Sequence, residues 1–310
     1  MRFAIAALVS IALSCTAQTR PAIIGVSHIA VYASDAAAAG HFYAQQLGLR
    51  KAPDPERADG ACYYVNREQY VEVLPLPAGA GDNRLDHIAW MTRDADALRR
   101  YLGSHAITIP DTIQHGSDGS LWFEVTDPEA NKVEFVQPPA ALLTESAERL
   151  TVAGADPIGR RMIHVGMVVH DRAKEDTFYR DILGFRPYWF GGMHEDRPQW
   201  VSQQVPDGRD WLEYMLPTQS DPSPLPQKTM GVMNHFSIAV ANMEETVTTL
   251  YSGDRLGDTP ARPQIGRDGK WQFNLYDPDG TRAELMEYSA AAKPCCSEFT
   301  AADPTPTGQP

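Results

Sequence analysis

Four histidines and four glutamates stand at matching places along the chain. His28, His87, His164 and His235 each lie early in a short apolar stretch. Glu72, Glu134, Glu213 and Glu284 each sit between apolar neighbours, as in Val71-Glu72-Val73, Val133-Glu134-Phe135, Leu212-Glu213-Tyr214 and Ala283-Glu284-Leu285. The chain has nine histidines in all, so four at one position is a pattern to explain. A strand turns alternate side chains to opposite faces. The apolar neighbours of each glutamate therefore point into the layer between helices and sheet, and the carboxylate points to the other face. There it is costly unless solvated, paired or bound to a cation. Any one such pair reads as easily as a satisfied histidine and a solvent-facing glutamate. Four pairs in register point instead to divalent metal. Two imidazoles with two carboxylates suit Fe(II), Mn(II), Ni(II), Co(II) or Zn(II), and an octahedral ion would keep two positions for substrate oxygens.

The register comes from duplication. Residues 27–50 reappear as 163–186, with His28 on His164, Phe42-Tyr43 on Phe178-Tyr179 and Leu47-Gly48 on Leu183-Gly184, at an offset of 136. Asp127-Pro128 before Glu134 matches Asp277-Pro278 before Glu284 at an offset of 150, so the second copy carries loop insertions. A repeat of this length is a duplicated domain. Each copy divides again into two β-α-β-β(-β) units. The first has a strand with His28, a helix over 36–46 capped by Ser34 or Asp35, and strands near 61–65 and 70–76. The second has a strand over 87–92, a helix over 95–103, and strands near 121–126 and 132–136. The second copy predicts helices over 173–183 and 243–252 and strands near 199–204, 211–216, 271–276 and 282–288. Gly48 suits a left-handed residue after a helix, and the Asp-Pro pairs mark turns. The fold class is α+β, with four βαβββ units.

The boundaries follow. Residues 23–138 and 162–290 form the two modules, 139–161 a linker with one helical stretch around 141–150, and 291–310 a tail rich in Pro, Thr and small polar residues that composition predicts to be disordered. Residues 1–17 read as an export signal: a positive start, an apolar run over 3–13 too short to span a bilayer, then small residues. The alternative is lipid attachment at Cys15. Export implies a periplasmic or secreted protein, and no other segment could cross a membrane. A formal net charge of −13 argues against nucleic acid as a partner. Among the four cysteines, Cys62 reads as a core thiol, and no C-x-x-C is present. The sequence leaves monomer and homodimer open.

SHIAVYASD with FYAQQLGL, then DHIAW, then TDPEANKVEFV, and in the second copy IHVGMVVHD, FYRDILGF, NHFSIAV and YDPDGTRAELMEY, together resemble the vicinal oxygen chelate superfamily: glyoxalase I, extradiol dioxygenases, and fosfomycin- and bleomycin-resistance proteins. The resemblance implies cups built from pairs of units, with metal ligands on the first and last strand of each. One set would be His28, Glu72, His87 and Glu134, the other His164, Glu213, His235 and Glu284. Which units pair is left open.

The full His/Glu/His/Glu set resembles the glyoxalase pattern. It implies a lyase or isomerase acting on a small oxygen-chelating organic substrate through a metal-stabilised enolate, with a ligand carboxylate such as Glu134 or Glu284 moving the proton. Extradiol ring cleavage is the alternative. Its pattern is partly met by His115, Phe123 and Asp127-Pro128, but Glu124 stands where a tyrosine is usual, and the second copy has no histidine between residues 259 and 273. A third reading is a ligand-binding protein without chemistry. Arg160-Arg161 reads as a solvated linker pair. Trp200, Trp211, Trp271 and Tyr214 read as core, or as the wall of a cup for a flat ligand.

Overall fold

The structure, a computed structural model, describes residues 19–140, 142, 156–218 and 224–306. The first module runs β1 (Ile23–Ala33), α1 (Ala36–Gly40, continued by a π-helical turn over His41–Gln46), β2 (Arg50–Pro53), β3 (Ala61–Tyr64), β4 (Tyr70–Pro75), β5 (Leu85–Thr92), α2 (Ala95–Ser104), β6 (Gln114–His115), β7 (Leu121–Thr126) and β8 (Lys132–Gln137). The second runs β9 (Arg161–Val168), α3 (Arg172–Asp176, continued by a π-helical turn over Thr177–Ile182), β10 (Arg186–Gly191), β11 (Trp200–Gln204), β12 (Trp211–Met215), α4 (Gln227–Met233), β13 (His235–Val240), α5 (Met243–Ser252), β14 (Gln264–Ile265), β15 (Trp271–Tyr276) and β16 (Arg282–Glu287). The expected export signal lies outside the described residues, as does most of the linker helix. No helix among the described residues is long and apolar enough to cross a membrane.

Each module is one curled eight-stranded sheet, ordered β2-β3-β4-β1-β5-β8-β7-β6 and β10-β11-β12-β9-β13-β16-β15-β14. This answers the pairing question: consecutive units join, β1 to β5 and β9 to β13, both antiparallel. Within every unit the first strand runs parallel to the last. Glu72 lies opposite Ala30, Glu134 opposite Ala89, Glu213 opposite Gly166 and Glu284 opposite Ser237. Each glutamate is thus level with the residue two after its histidine, so both share the inner face of the sheet.

The helices cover the outer face. Asp35 accepts from Ala37 N and Ala38 N to start α1. The single helix expected over 36–46 is an α-turn that widens into a π-turn, closed by Leu47 N donating to Phe42 O. The widened turn buries two successive rings, Phe42 and Tyr43. The second copy repeats it with Phe178 and Tyr179. Gly48 and Gly184, at φ +72° and +80°, take the left-handed turn back into the sheet. The apolar core is continuous across both modules: Trp90 of the first stands edge-on to Phe185 of the second at 5.0 Å.

Two expectations are corrected. Residues 291–306 are packed on the second module rather than disordered: Thr300 N donates to Tyr188 O, and Phe299 lies 4.9 Å from the Tyr188 ring. A low-complexity segment is ordered here because a buried lysine, Lys270, needs Asp303 as its partner, at 2.6 Å. The tail's Cys295 and Cys296 are joined to each other as a disulfide, and Cys62 is a buried free thiol as expected. Arg161 is not a solvated linker charge; it opens β9, is buried, and pairs with Asp210 at 2.6 Å.

Candidate metal centres

The sheet curl brings all four polar side chains of each module together. In the first module His28 Nε2 lies 2.9 Å from His87 Nε2. Glu72 Oε2 is 3.7 Å from His28 Nε2 and 3.4 Å from His87 Nε2, and Glu134 reaches the same two atoms at 3.7 and 3.5 Å. In the second, His164 Nε2 and His235 Nε2 are 3.0 Å apart. Glu284 Oε2 is 3.1 Å from His164 and 3.9 Å from His235, while Glu213 Oε2 is 3.4 Å from His235. Neighbouring ligands of one ion bound at about 2.1 Å stand about 3 Å apart, and opposite ones about 4 Å. In each module three of the four, His28, His87 and Glu134 in the first and His164, Glu213 and His235 in the second, have ligand atoms within 4.8 Å of one another, a spacing that could hold one ion; Glu72 and Glu284 stand beside them.

The buried oxygens fit as well. Both carboxylate oxygens of Glu72 and of Glu134 are buried without a hydrogen-bond partner among the described residues. Such orphans need an explanation, and a cation supplies one. Burial, then Asp54 and Glu56 nearby, pushes the Glu72 carboxyl up to about 10. Burial, with Glu56 and Glu72, also holds Glu134 well above the usual carboxylate range. Burial and the facing His87 keep His28 neutral, the form that binds metal. In the second module burial would raise Glu284, but Arg282 and His164 outweigh it and hold the carboxyl down at about 2. Burial raises Glu213 and, with Arg282, lowers His235.

The imidazoles are fixed from behind. His28 stacks on Tyr70 at 4.4 Å and His164 on Trp211 at 4.6 Å. His87 Nδ1 bonds Asp86 Oδ2 at 2.8 Å, whereas His235 Nδ1 donates to Met233 O at 2.8 Å. Gly166 makes room for that second orientation, because a Cβ there would stand 2.0 Å from the His235 ring.

The two cups differ in access. In the first, the connection after β2 folds over the centre. Arg57 reaches Glu72, Asp86 and Glu124 at 3.7, 3.5 and 3.4 Å, and Pro55 O accepts from Ser117 N across the mouth. In the second, Glu213 and Glu284 line an open cavity of about 330 Å³ whose apolar walls include Trp189, Trp200 and Met286. Trp200 therefore forms cup wall, Trp211 backs a histidine, and Tyr214 belongs to the core.

Two expected residues fall outside the centres. His115 is exposed on the edge strand β6, and its counterpart in the second module is Ile265. Glu124 is partly exposed, pairs with Arg57, and approaches only the rear nitrogen of His87, at 4.0 Å. An alternating strand pattern gives the face of a residue but not its distance from the centre of a curled sheet. Conversely, Asp86, Arg57 and Arg282 escaped the sequence reading. Asp86 had a signal, adjacency to His87; Arg57 had none, because it acts from a loop.

A curled sheet in each module, with histidines and glutamates gathered on its inner face, defines a class of tandem βαβββ proteins whose side chains could hold a divalent ion. The chain belongs to the Glyoxalase/Bleomycin resistance protein/Dioxygenase superfamily, whose family profile matches residues 25–135 and 161–285. Among solved structures it is similar to a catechol 2,3-dioxygenase, at TM-score 0.63 and 16% identity over 91% of this chain and 94% of that one. It is similar to a variant of homoprotocatechuate 2,3-dioxygenase from Brevibacterium fuscum, at TM-score 0.63 and 16% identity over 88% and 74%. It is also similar to the Mn(II)-bound glyoxalase from Novosphingobium aromaticivorans, at TM-score 0.59 and 17% identity over 86% and 83%. These likenesses concern the fold. No curated protein matches the chain.

Proposed function

We propose that the chain is an exported metal-dependent enzyme of glyoxalase-like type, working in its second module on a small organic substrate with two adjacent oxygens. One observation carries this reading: the two carboxylates of the second module, Glu213 and Glu284, line an open cavity with their histidines buried behind them, whereas the first centre is closed over by Arg57. His164, His235 and Glu213, whose ligand atoms lie within 4.8 Å of one another, would hold the ion together with Glu284, 3.1 Å from His164. The chemistry a divalent ion supplies in such a site is Lewis-acid polarisation of substrate oxygens. Glu213 is the proton carrier: its Oε2 lies within 4 Å of one imidazole, that of His235, and its side chain, 13% exposed, is the more open of the two carboxylates. It takes the proton from carbon beside the carbonyl and returns it to the neighbouring carbon. Trp189 and Trp200 flank the substrate and keep water from the departing proton. The first centre is structural in this reading.

The test uses hydroxyacetone in D2O, without O2, with Mn(II)-loaded protein. Deuterium incorporation followed by NMR is expected in the wild type and in H28A. It is expected to fall at least about a hundredfold in E213Q and to vanish in H164A. Absence of exchange with Mn, Ni, Zn and Co defeats the isomerase reading, and O2 uptake with catechol and Fe(II) replaces it with ring cleavage.

A further inference from the structure

The second cavity carries a cation whose counterpart in the first module has a closer carboxylate partner. Arg282 of β16 corresponds to Lys132 of β8; both stand two residues before the last glutamate of their quartet and opposite its second histidine. Lys132 is half exposed and fully engaged, with Nζ 2.7 Å from Asp86. Arg282 is far more buried, with 12% of its side chain exposed, yet less engaged. Its nearest carboxylate is Glu284, at 3.7 Å, and its Nε has no hydrogen-bond partner among the described residues. One exchange accompanies the difference: the position of Asp86 is taken by Asn234. The Asn234 amide is used elsewhere, accepting from Val168 N at 2.9 Å and donating to Asn83 at 2.8 Å. A guanidinium presents a planar fork of donors, and leaving that fork unused inside a protein is costly.

The charge around the two cups differs in the same sense. Counting histidines as neutral, the second cavity is lined by three carboxylates, Glu213, Asp268 and Glu284, against two guanidinium groups, Arg267 and Arg282. One divalent ion leaves it one charge positive. With an ion holding Glu72 and Glu134 deprotonated and Glu56 left neutral at about 8, the first centre gathers Asp54, Glu72, Asp86, Glu124 and Glu134 against Arg57 and Lys132, and stays one charge negative. Arg267 is occupied, with Nε on Gly192 O at 3.1 Å and a terminal nitrogen on Cys295 Sγ. Arg282 is the cation with donors to spare.

We infer that the second cavity takes a small planar organic anion: a carboxylate held by the Arg282 fork, on a flat apolar body that lies against Trp189 and Trp200. The inference rests on the reading of the second module as the ligand-binding cup, and it adds the charge and shape of what enters. Arg282 is a specificity residue, pairing with a group of the ligand that does not react. The carboxylate–guanidinium pair is charge-assisted and bidentate, which fixes the ring orientation as well as adding affinity.

Benzoate and benzamide, equal in shape and different in charge, are the probes, and quenching of tryptophan fluorescence is the readout. Each is titrated into metal-free and Mn(II)-loaded protein, with bound metal measured separately. Wild-type loaded protein is expected to bind benzoate at least tenfold more tightly than benzamide. R282Q is expected to lose most of that preference while keeping its bound Mn(II). N234D, which offers Arg282 the partner that Lys132 already has, is expected to weaken benzoate binding with Arg282 still in place, so a folding failure of R282Q does not leave the question open. Equal binding of the two probes by the wild type, or an undiminished preference in R282Q or N234D, overturns the inference. Failure to take up metal defeats the proposed function instead, and Arg282-dependent benzoate binding by the same metal-free protein then leaves the anion site standing.

Discussion

Glu72 shows how far the centres depend on an ion. Its carboxyl is held up at about 10 by burial and by Asp54 and Glu56, and burial with Asp54 pushes Glu56 to about 8. A carboxyl raised on folding adds stability that is complete below its unfolded value of about 4.3. That stability is lost as pH climbs toward the folded value. A divalent ion reverses the demand, because it binds the deprotonated carboxylates. Metal-free protein is therefore expected to lose Tm steadily between about pH 5.5 and pH 8, and the gain in Tm on adding Mn(II) should grow over the same interval. E72Q removes one of the titrating groups and should flatten the metal-free slope. Thermal melts at several pH values check this; a slope identical in E72Q and wild type contradicts it. In the second centre Arg282 and His164 already keep Glu284 ionised, so that carboxyl adds nothing to the slope in this interval.

Among the elements, the C-terminal segment changes meaning most between sequence and structure. Lys270, at the start of β15, is fully buried with its ammonium group above the rings of Tyr188, Trp211 and Phe299, at 5.9, 5.4 and 5.1 Å. Its hydrogen-bond partners are Asp303 and Tyr288 O, both at 2.6 Å, and Tyr188 Oη at 3.4 Å. Trp211 is the ring on which His164 stacks, so the tail backs the wall behind a candidate ligand. Removing one member of a buried ion pair costs about 3–5 kcal/mol. Asp303 is 28% exposed, so D303A is expected to cost less, about 1–3 kcal/mol. The tail should also become a site of early proteolytic cleavage. Urea unfolding and timed proteolysis measure both, and an unchanged midpoint with an intact tail refutes the role given to Asp303.

The whole molecule is held together by a reciprocal contact between the two copies. Asp279, in the turn after β15, accepts from Ser34 N at 2.8 Å and from Arg84 Nε at 3.2 Å in the first module. Glu129, its counterpart in the turn after β7, accepts from His170 N at 2.8 Å and from Asp171 N in the second. Each Asp-Pro turn thus closes the strand-to-helix entry of the other copy. Gln69 adds a bridge, donating to Val26 O at 3.0 Å and Met162 O at 2.8 Å. With a continuous core behind these contacts, the wild type should unfold in one calorimetric transition. D279A removes the acceptor of two partly buried hydrogen bonds, from Ser34 N and Arg84 Nε, and should cost about 1–2 kcal/mol, lowering Tm by several degrees. Two separate wild-type transitions, or a D279A melt equal to the wild type, would show that the modules are energetically independent.

The repeat and the strand period were enough to read the four units, the eight candidate ligands and the face they share, because alternation along a strand is a local property. The Asp-Pro pairs could be read as turns, and Gly48 as a helix terminator, for the same reason. The pairing of units, the closure of one cup by Arg57, the inter-module use of Asp279 and Glu129, and the ordering of the tail by Lys270 were decided only in the tertiary structure. Each depends on which distant side chains a curled sheet brings within a few ångströms, and on how burial reprices a charge once water is gone. His115 and Arg282 mark the two sides of that boundary. His115 has the right residue type and remains on an exposed edge. Arg282 looks like an ordinary strand cation, yet it is mostly buried with Glu284 as its nearest carboxylate and its Nε unpaired among the described residues, in the copy where Asn234 stands in place of Asp86.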